Sequence, residues 1–166
     1  MLLANAVLGL FQLVVSVVFA AVALYIGFSI MSRITPGIDE EKELAKGNIA
    51  VAILVAAVFV AIAIIVESGV TGLSVGINKA MDVGIFTSDG LVVVGFTIIQ
   101  FILGIVLAVA AIYLALYILD RLTQGIEIFR ELKKGNIAVA LMMAGVIIAV
   151  AVIIQSGVLG ITATLI

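Results

Sequence analysis

The chain has no cysteine, no histidine and no tryptophan, and a single proline, Pro36, in 166 residues. Without cysteine there is no disulfide framework, thiolate metal cluster or thiol nucleophile. Without histidine there is no imidazole ligand, and the commonest general base is missing. Charge is scarce as well. Eight Lys and Arg and ten Asp and Glu make up 11% of the chain, against about a quarter in a soluble domain. A net charge of −2 so thinly spread points to no partner, and there is no basic arm for nucleic acid. A phosphate-binding loop, an HExxH helix and a nucleophile–base pair are also missing. No catalytic residue, no cofactor and no metal site is expected, and the chain reads as a non-enzyme.

What the chain does have is apolar side chains, 66% of all residues. Four runs, roughly 3–31, 49–66, 91–119 and 137–154, match the length of about 20 residues that crosses a bilayer. A soluble core of this size would have almost no polar surface left to cover it, so the runs read as membrane helices. The first begins at residue 2 without a charged leader and is too long for the core of a signal peptide. It is expected to be a retained transmembrane helix.

Displaced by 88 residues, the sequence aligns with itself without a gap: Gly47-Asn48-Ile49-Ala50-Val51-Ala52 falls on Gly135-Asn136-Ile137-Ala138-Val139-Ala140. Of 78 aligned pairs 29 are identical. Chance matching of aliphatic residues would not also align Gln12 with Gln100, Tyr25 with Tyr113 and Arg33 with Arg121. The organisation is therefore a repeat over 1–78, a linker over 79–88 and a second repeat over 89–166.

Each repeat reads as helix, charged loop, helix. The loops, 32–47 and 120–135, hold seven of the eight cations: Arg33, Lys42, Lys46, Arg121, Arg130, Lys133 and Lys134. Cations near helix ends mark the cytoplasmic side, so both loops are expected inside and both termini outside. The fold class is an all-α membrane protein with four transmembrane helices. They form two parallel hairpin repeats related by a pseudo-twofold along the membrane normal.

Within the loops, Thr35 and Thr123 are placed to cap a short helix, with Pro36 at its first turn. Ile38 and Leu44, or Ile126, Phe129 and Leu132, form its apolar stripe, and it is expected to lie in the membrane interface. Gly47 and Gly135 are expected to end it in the left-handed conformation, and Asn48 and Asn136 to cap the next helix. The glycine-rich stretch 71–90 is expected to run along the outer interface. Ser88-Asp89 would cap the third long helix, which at about 29 residues must tilt, break or protrude, with Gly95 and Thr97 the place where a break would fall.

Polar groups inside a bilayer are costly and face protein or water. Gln12, Glu67, Gln100 and Gln155 all fall roughly 28–31 Å from the cytoplasmic loops along their helices, in one layer near the outer boundary. Two readings stand: an ion site or vestibule with Glu67 as its titratable member, or groups that hydrogen-bond across helices and mark the membrane edge. Tyr25 and Tyr113 read as packing residues. The acidic run Asp39-Glu40-Glu41 with Glu43 lacks calcium-loop spacing and reads as a solvated face.

The pattern Thr-x-Gly-Ile, then Glu-Leu-x-Lys-Gly-Asn-Ile-Ala-Val-Ala, then an apolar run ending near Ser-Gly-Val, resembles the YjfL-like family of bacterial inner-membrane proteins. This is domain of unknown function 350, often present in two copies. Thr35, Glu43, Leu44, Lys46, Gly47, Asn48, Ile49, Ala50 and Ala52 carry it in the first copy, and Thr123, Glu131, Leu132, Lys134, Gly135, Asn136, Ile137, Ala138 and Ala140 in the second. The resemblance implies a bacterial or archaeal plasma membrane. For some members it also implies an association with envelope-stress proteins, and it brings no catalytic residues. The proteolipid rotor of vacuolar-type ATPases shares the length, the four helices and a lone carboxylate opposite a Gln, but its helices pack through dense glycine, where the first helix here has only Gly9 and Gly27, and Glu67 sits near the outer boundary, not at mid-membrane. The partners expected are the lipid bilayer, further copies of the chain, and a cytoplasmic envelope-stress protein at loops 32–47 and 120–135. The alternative is an oligomeric ion channel or transporter.

Overall fold

A computed structural model describes residues 2–35, 37–84, 86–123 and 127–164. Six helices follow one another: α1 (Leu2–Ile34), α2 (Glu40–Ala45), α3 (Ile49–Val83), α4 (Ser88–Leu122), α5 (Ile128–Lys133) and α6 (Ile137–Thr164). There is no strand among the described residues. Long apolar stretches without an interior proline leave the backbone no better choice in hydrocarbon, where every N–H and C=O needs an internal partner. The helices α3, α4 and α6 are each long and apolar enough to cross a membrane.

Helix α3 is the hub, packing along α6, α4 and α1, while α4 also leans on α6. The densest core lies where the short helices meet the long ones. Val51 and Leu54 of α3, Met143 and Ile147 of α6, and Ile128 and Leu132 of α5 are all buried there. Helix α1 joins this core through its last turns, with Met31 buried and the Phe28 ring 6.0 Å from that of Phe59. Elsewhere the long helices turn Val17, Leu103, Val106, Leu107 and Leu141 outward. Exposed apolar surface on this scale is a lipid-facing coat. Between such helices burial gains little from water exclusion, so close van der Waals packing must hold them.

That packing corrects several sequence expectations. The stretch 71–90 is not an interfacial linker: α3 continues through it to Val83, and only Gly84–Thr87 separates α3 from α4. Its glycines serve contact rather than bending. Gly69, Gly72 and Gly76 are buried against α4, and a Cβ on Gly69 would overlap the Phe101 ring, one on Gly76 the Thr97 side chain. The true turn is at Gly84, with φ 93°. Helix α4 is capped by Thr87, whose Oγ1 accepts from Gly90 N at 3.1 Å, one residue before Ser88-Asp89. Nor does α4 break at Gly95. The Thr97 hydroxyl donates back to the Val93 carbonyl at 2.8 Å, which satisfies it inside an unbroken helix. Tyr25 and Tyr113 are exposed rather than packed.

Candidate functional site at the paired helix connectors

The most elaborately built polar region is the pair of connectors carrying Glu-Leu-x-Lys-Gly-Asn. In the first, α2 starts at Asp39, whose carboxylate accepts from Lys42 N at 3.1 Å and pairs with the Lys42 ammonium at 2.7 Å. That pairing holds the Asp39 carboxyl below its usual range and raises Lys42. Thr35 is not the cap. It is buried, and its hydroxyl bonds the Met31 carbonyl and Glu40. The second connector repeats part of this: Thr123 donates to the Leu119 carbonyl at 2.7 Å, and α5 starts at Glu127 without a side-chain cap. Pro36 and Ile126 lie outside the described residues. Ile38 and Leu132 are buried, and so is Ile128, which the sequence stripe omitted.

Both short helices end on glycine at positive φ, 77° at Gly47 and 85° at Gly135. An L side chain rarely adopts this conformation. The turn lets Asn48 N donate to the Glu43 carbonyl and Asn136 N to the Glu131 carbonyl, each at 3.0 Å. The asparagines then cap the next helices. Asn48 Oδ1 accepts from Ala50 and Val51, and Asn136 Oδ1 from Ala138 and Val139.

The organising residue of each connector is a glutamate, Glu43 in the first and Glu131 in the second. Glu43 Oε1 pairs with Lys46 at 2.7 Å and its Oε2 accepts from Asn48 Nδ2 at 3.0 Å. Glu131 does the same with Lys134 at 2.6 Å and Asn136 at 3.1 Å. The Asn48 amide and Lys46 hold Glu43 below the usual carboxylate range, and Lys134 and the Asn136 amide do so for Glu131. The signal was legible as a Glu, Lys, Asn spacing of i, i+3, i+5, identical in both copies.

One feature is not shared. Asn48 Nδ2 also lies 3.3 Å from the Leu132 carbonyl and 3.2 Å from that of Lys133, two acceptors in the last turn of α5. Lys133 in turn donates to the Gly37 carbonyl at 3.4 Å. The first connector is thereby tied to the second. The Glu43 side chain is 7% exposed where Glu131 is 26%. Asn48→Ala is therefore expected to destabilise more than Asn136→Ala. Loss of an N-cap costs roughly 0.5–2 kcal/mol, with Asn48 at the upper end and Asn136 at the lower. Paired unfolding curves in one detergent check the order.

Of the polar layer, the structure brings two members together. Gln155 Nε2 donates to Glu67 Oε2 at 3.4 Å, joining α3 to α6. Gln100 lies on another side of α3. With Gly69, Thr97 and Phe101 it lines a cavity of about 10 Å³, space for one water at most. The Gln12 side chain lies outside the described residues. No cluster of three or more potential metal ligands occurs among the described residues. The acidic run is spent on caps and ion pairs: Asp39 on α2, Glu40 on Thr35, Glu43 on Lys46 and Asn48.

Long apolar helices joined by short polar connectors define a membrane-embedded all-α protein. The sequence profile of the Domain of Unknown Function (DUF350) family matches residues 3–158, and the chain belongs to that family. No curated protein and no solved structure matches it.

Proposed function

We propose that this is a four-span, two-copy integral membrane protein, akin to the YjfL-like proteins, that acts without enzymatic chemistry. Its connectors form a cytoplasmic platform for a protein partner in a bacterial or archaeal plasma membrane, with both termini outside. The observation that carries the reading is the bond from Asn48 to the end of α5, which locks the two connectors into one surface. Around it Lys42, Lys46, Arg130, Lys133 and Lys134 are exposed, and Gly37, Asp120, Glu127, Phe129, Arg130 and Lys133 line an open depression of about 420 Å³. A rigid polar surface of mixed charge suits recognition of a protein segment better than transport. The matched hydrogen bonds of the connectors support a pseudo-twofold along the membrane normal.

A second reading, an oligomeric ion path, draws on the contact of Glu67 with Gln155. The two are separated by one set of preparations. Single cysteines at Lys42 or Lys133 are expected to react with an impermeant thiol reagent in inside-out vesicles and not in intact cells. Labelling from outside would remove the platform reading. Liposomes containing the protein are expected to carry no ion flux. A pH-dependent flux that Glu67→Gln abolishes would install the ion path in its place.

A further inference from the structure

The two copies of the repeat do not bury the same faces. On α3, Ile65, Ser68, Gly69 and Gly72 are covered, with Phe101 of α4 seated on Gly69 and Thr97 on Gly76. Their counterparts on α6, Ile153, Ser156, Gly157 and Gly160, are all exposed. Ile153 is 69% exposed where Ile65 is 5%. A Cβ on Gly157 or Gly160 would meet nothing within 4 Å. The counterparts of Thr97 and Phe101 are Gly9 and Leu13 on α1, and these are bare too: Leu13 is 60% exposed, Phe101 4%. One copy of a duplicated interface is made and the other is left open on both its sides.

We propose that the open pair is a contact between chains. The outer half of α1 from one copy lies on the Ile153, Gly157 and Gly160 face of α6 in a second copy, as α4 lies on α3 within one chain. The occupant follows from three observations. The first is the internal precedent: the same motif, one repeat earlier, receives the helix that corresponds to α1. The second is that a chain's own α1 is engaged elsewhere. Phe28 holds it to Phe59 of α3, and Ala23, Ile26 and Gly27 line a cavity with Ile62 of α3 and Ile105 and Ile112 of α4. The third is height. Leu13 stands 21 residues before the end of α1 and Gly157 20 residues after the start of α6, so both lie roughly 30 Å from the connectors.

Where lipid surrounds this face, small residues let backbones approach and gain van der Waals contact, and toward Gly160 the exclusion of water adds to it. Because the contact joins two different faces, it passes from chain to chain and forms a ring where the rotation between copies closes. The inference rests on the membrane reading above but not on which side the connectors face. A closed assembly would gather several connector platforms on one surface.

The chain's lack of cysteine makes the test direct. Chains carrying Leu13→Cys and Gly157→Cys, with different tags, are co-expressed and oxidised in native membranes. A mixed disulfide dimer bearing both tags is expected, and the same from Gly9→Cys with Gly160→Cys. The double variant Leu13→Cys/Gly157→Cys should give a ladder of linked chains. Gly69→Cys/Phe101→Cys should close within one chain and calibrates the geometry. Absence of a mixed dimer from both pairs while that control closes would overturn the proposal. So would closure of the double variant within single chains.

Discussion

Valine at Gly135 lowers the stability of the protein by roughly 1–3 kcal/mol, and valine at Gly47 does the same. The cost comes from the backbone, not from crowding. A Cβ on Gly47 would meet nothing within 4 Å, and one on Gly135 only Asn48 Oδ1 at 3.8 Å. What valine cannot do cheaply is hold φ near 80°. If the turn relaxes to negative φ, Asn136 N loses the Glu131 carbonyl, and the caps on Ala138 and Val139 go with it. Asparagine tolerates the left-handed region better than other side chains, so Gly135→Asn should recover much of the loss. Ala56→Val, at an exposed position inside α3, should change stability by less than about 0.5 kcal/mol. Unfolding midpoints in a single detergent give the comparison. A Gly135→Val protein that melts with the wild type would mean that the connector has no left-handed turn.

Leucine at Gly69 separates α4 from α3. Its Cβ would fall in the Phe101 ring, so either the ring or the helix must move. Overpacking of a tight contact costs typically about 1–3 kcal/mol, and α3 with α4 is among the most extensive contacts of the bundle. The pairing can be isolated by a double-mutant cycle. Phe101→Ala alone opens a void; in the Gly69→Leu background it makes room. The two changes together should cost less than their sum by about 0.5–3 kcal/mol. The corresponding change on α6, Gly157→Leu, should leave the unfolding midpoint of the single chain within about 0.5 kcal/mol, because nothing faces it there. Equal damage from Gly69→Leu and Gly157→Leu in dispersed single chains would contradict the packing described.

These residues also show which parts of the structure can be read from the chain. Helix and membrane are legible because hydrocarbon leaves a backbone few alternatives. The turns at Gly47 and Gly135 follow from a Gly-Asn pair set between two helix-forming stretches, where one residue must reverse the chain and the next must cap. Gly72 and Gly76 misled for the same reason that Gly84 did not. Glycine has one identity and two uses, and only the neighbour across the gap, Thr97, distinguishes close packing from a turn. The caps were displaced, from Thr35 to Asp39 and from Ser88 to Thr87, because several polar residues in a row can each serve and tertiary packing chooses. Glu43 and Glu131 lay in the repeated motif throughout. Their role depends on one carboxylate reaching a lysine and an asparagine at once, which needs the turn between them.

The length of α3 has a consequence for what holds it. Thirty-five residues span about 52 Å, well beyond about 30 Å of hydrocarbon. With the connectors at one surface, exposed Glu67 falls close to the other, and the contact of Gly76 with Thr97 then sits outside the oily layer. One continuous helix pair is thus glued by two different solvents. Near Glu67 and below, lipid surrounds it and fit alone decides; toward Val83, water surrounds it and cohesion of water takes over. The two ends should come apart under different insults, the tip to urea and the shaft to harsh detergent, so resistance to one says little about resistance to the other.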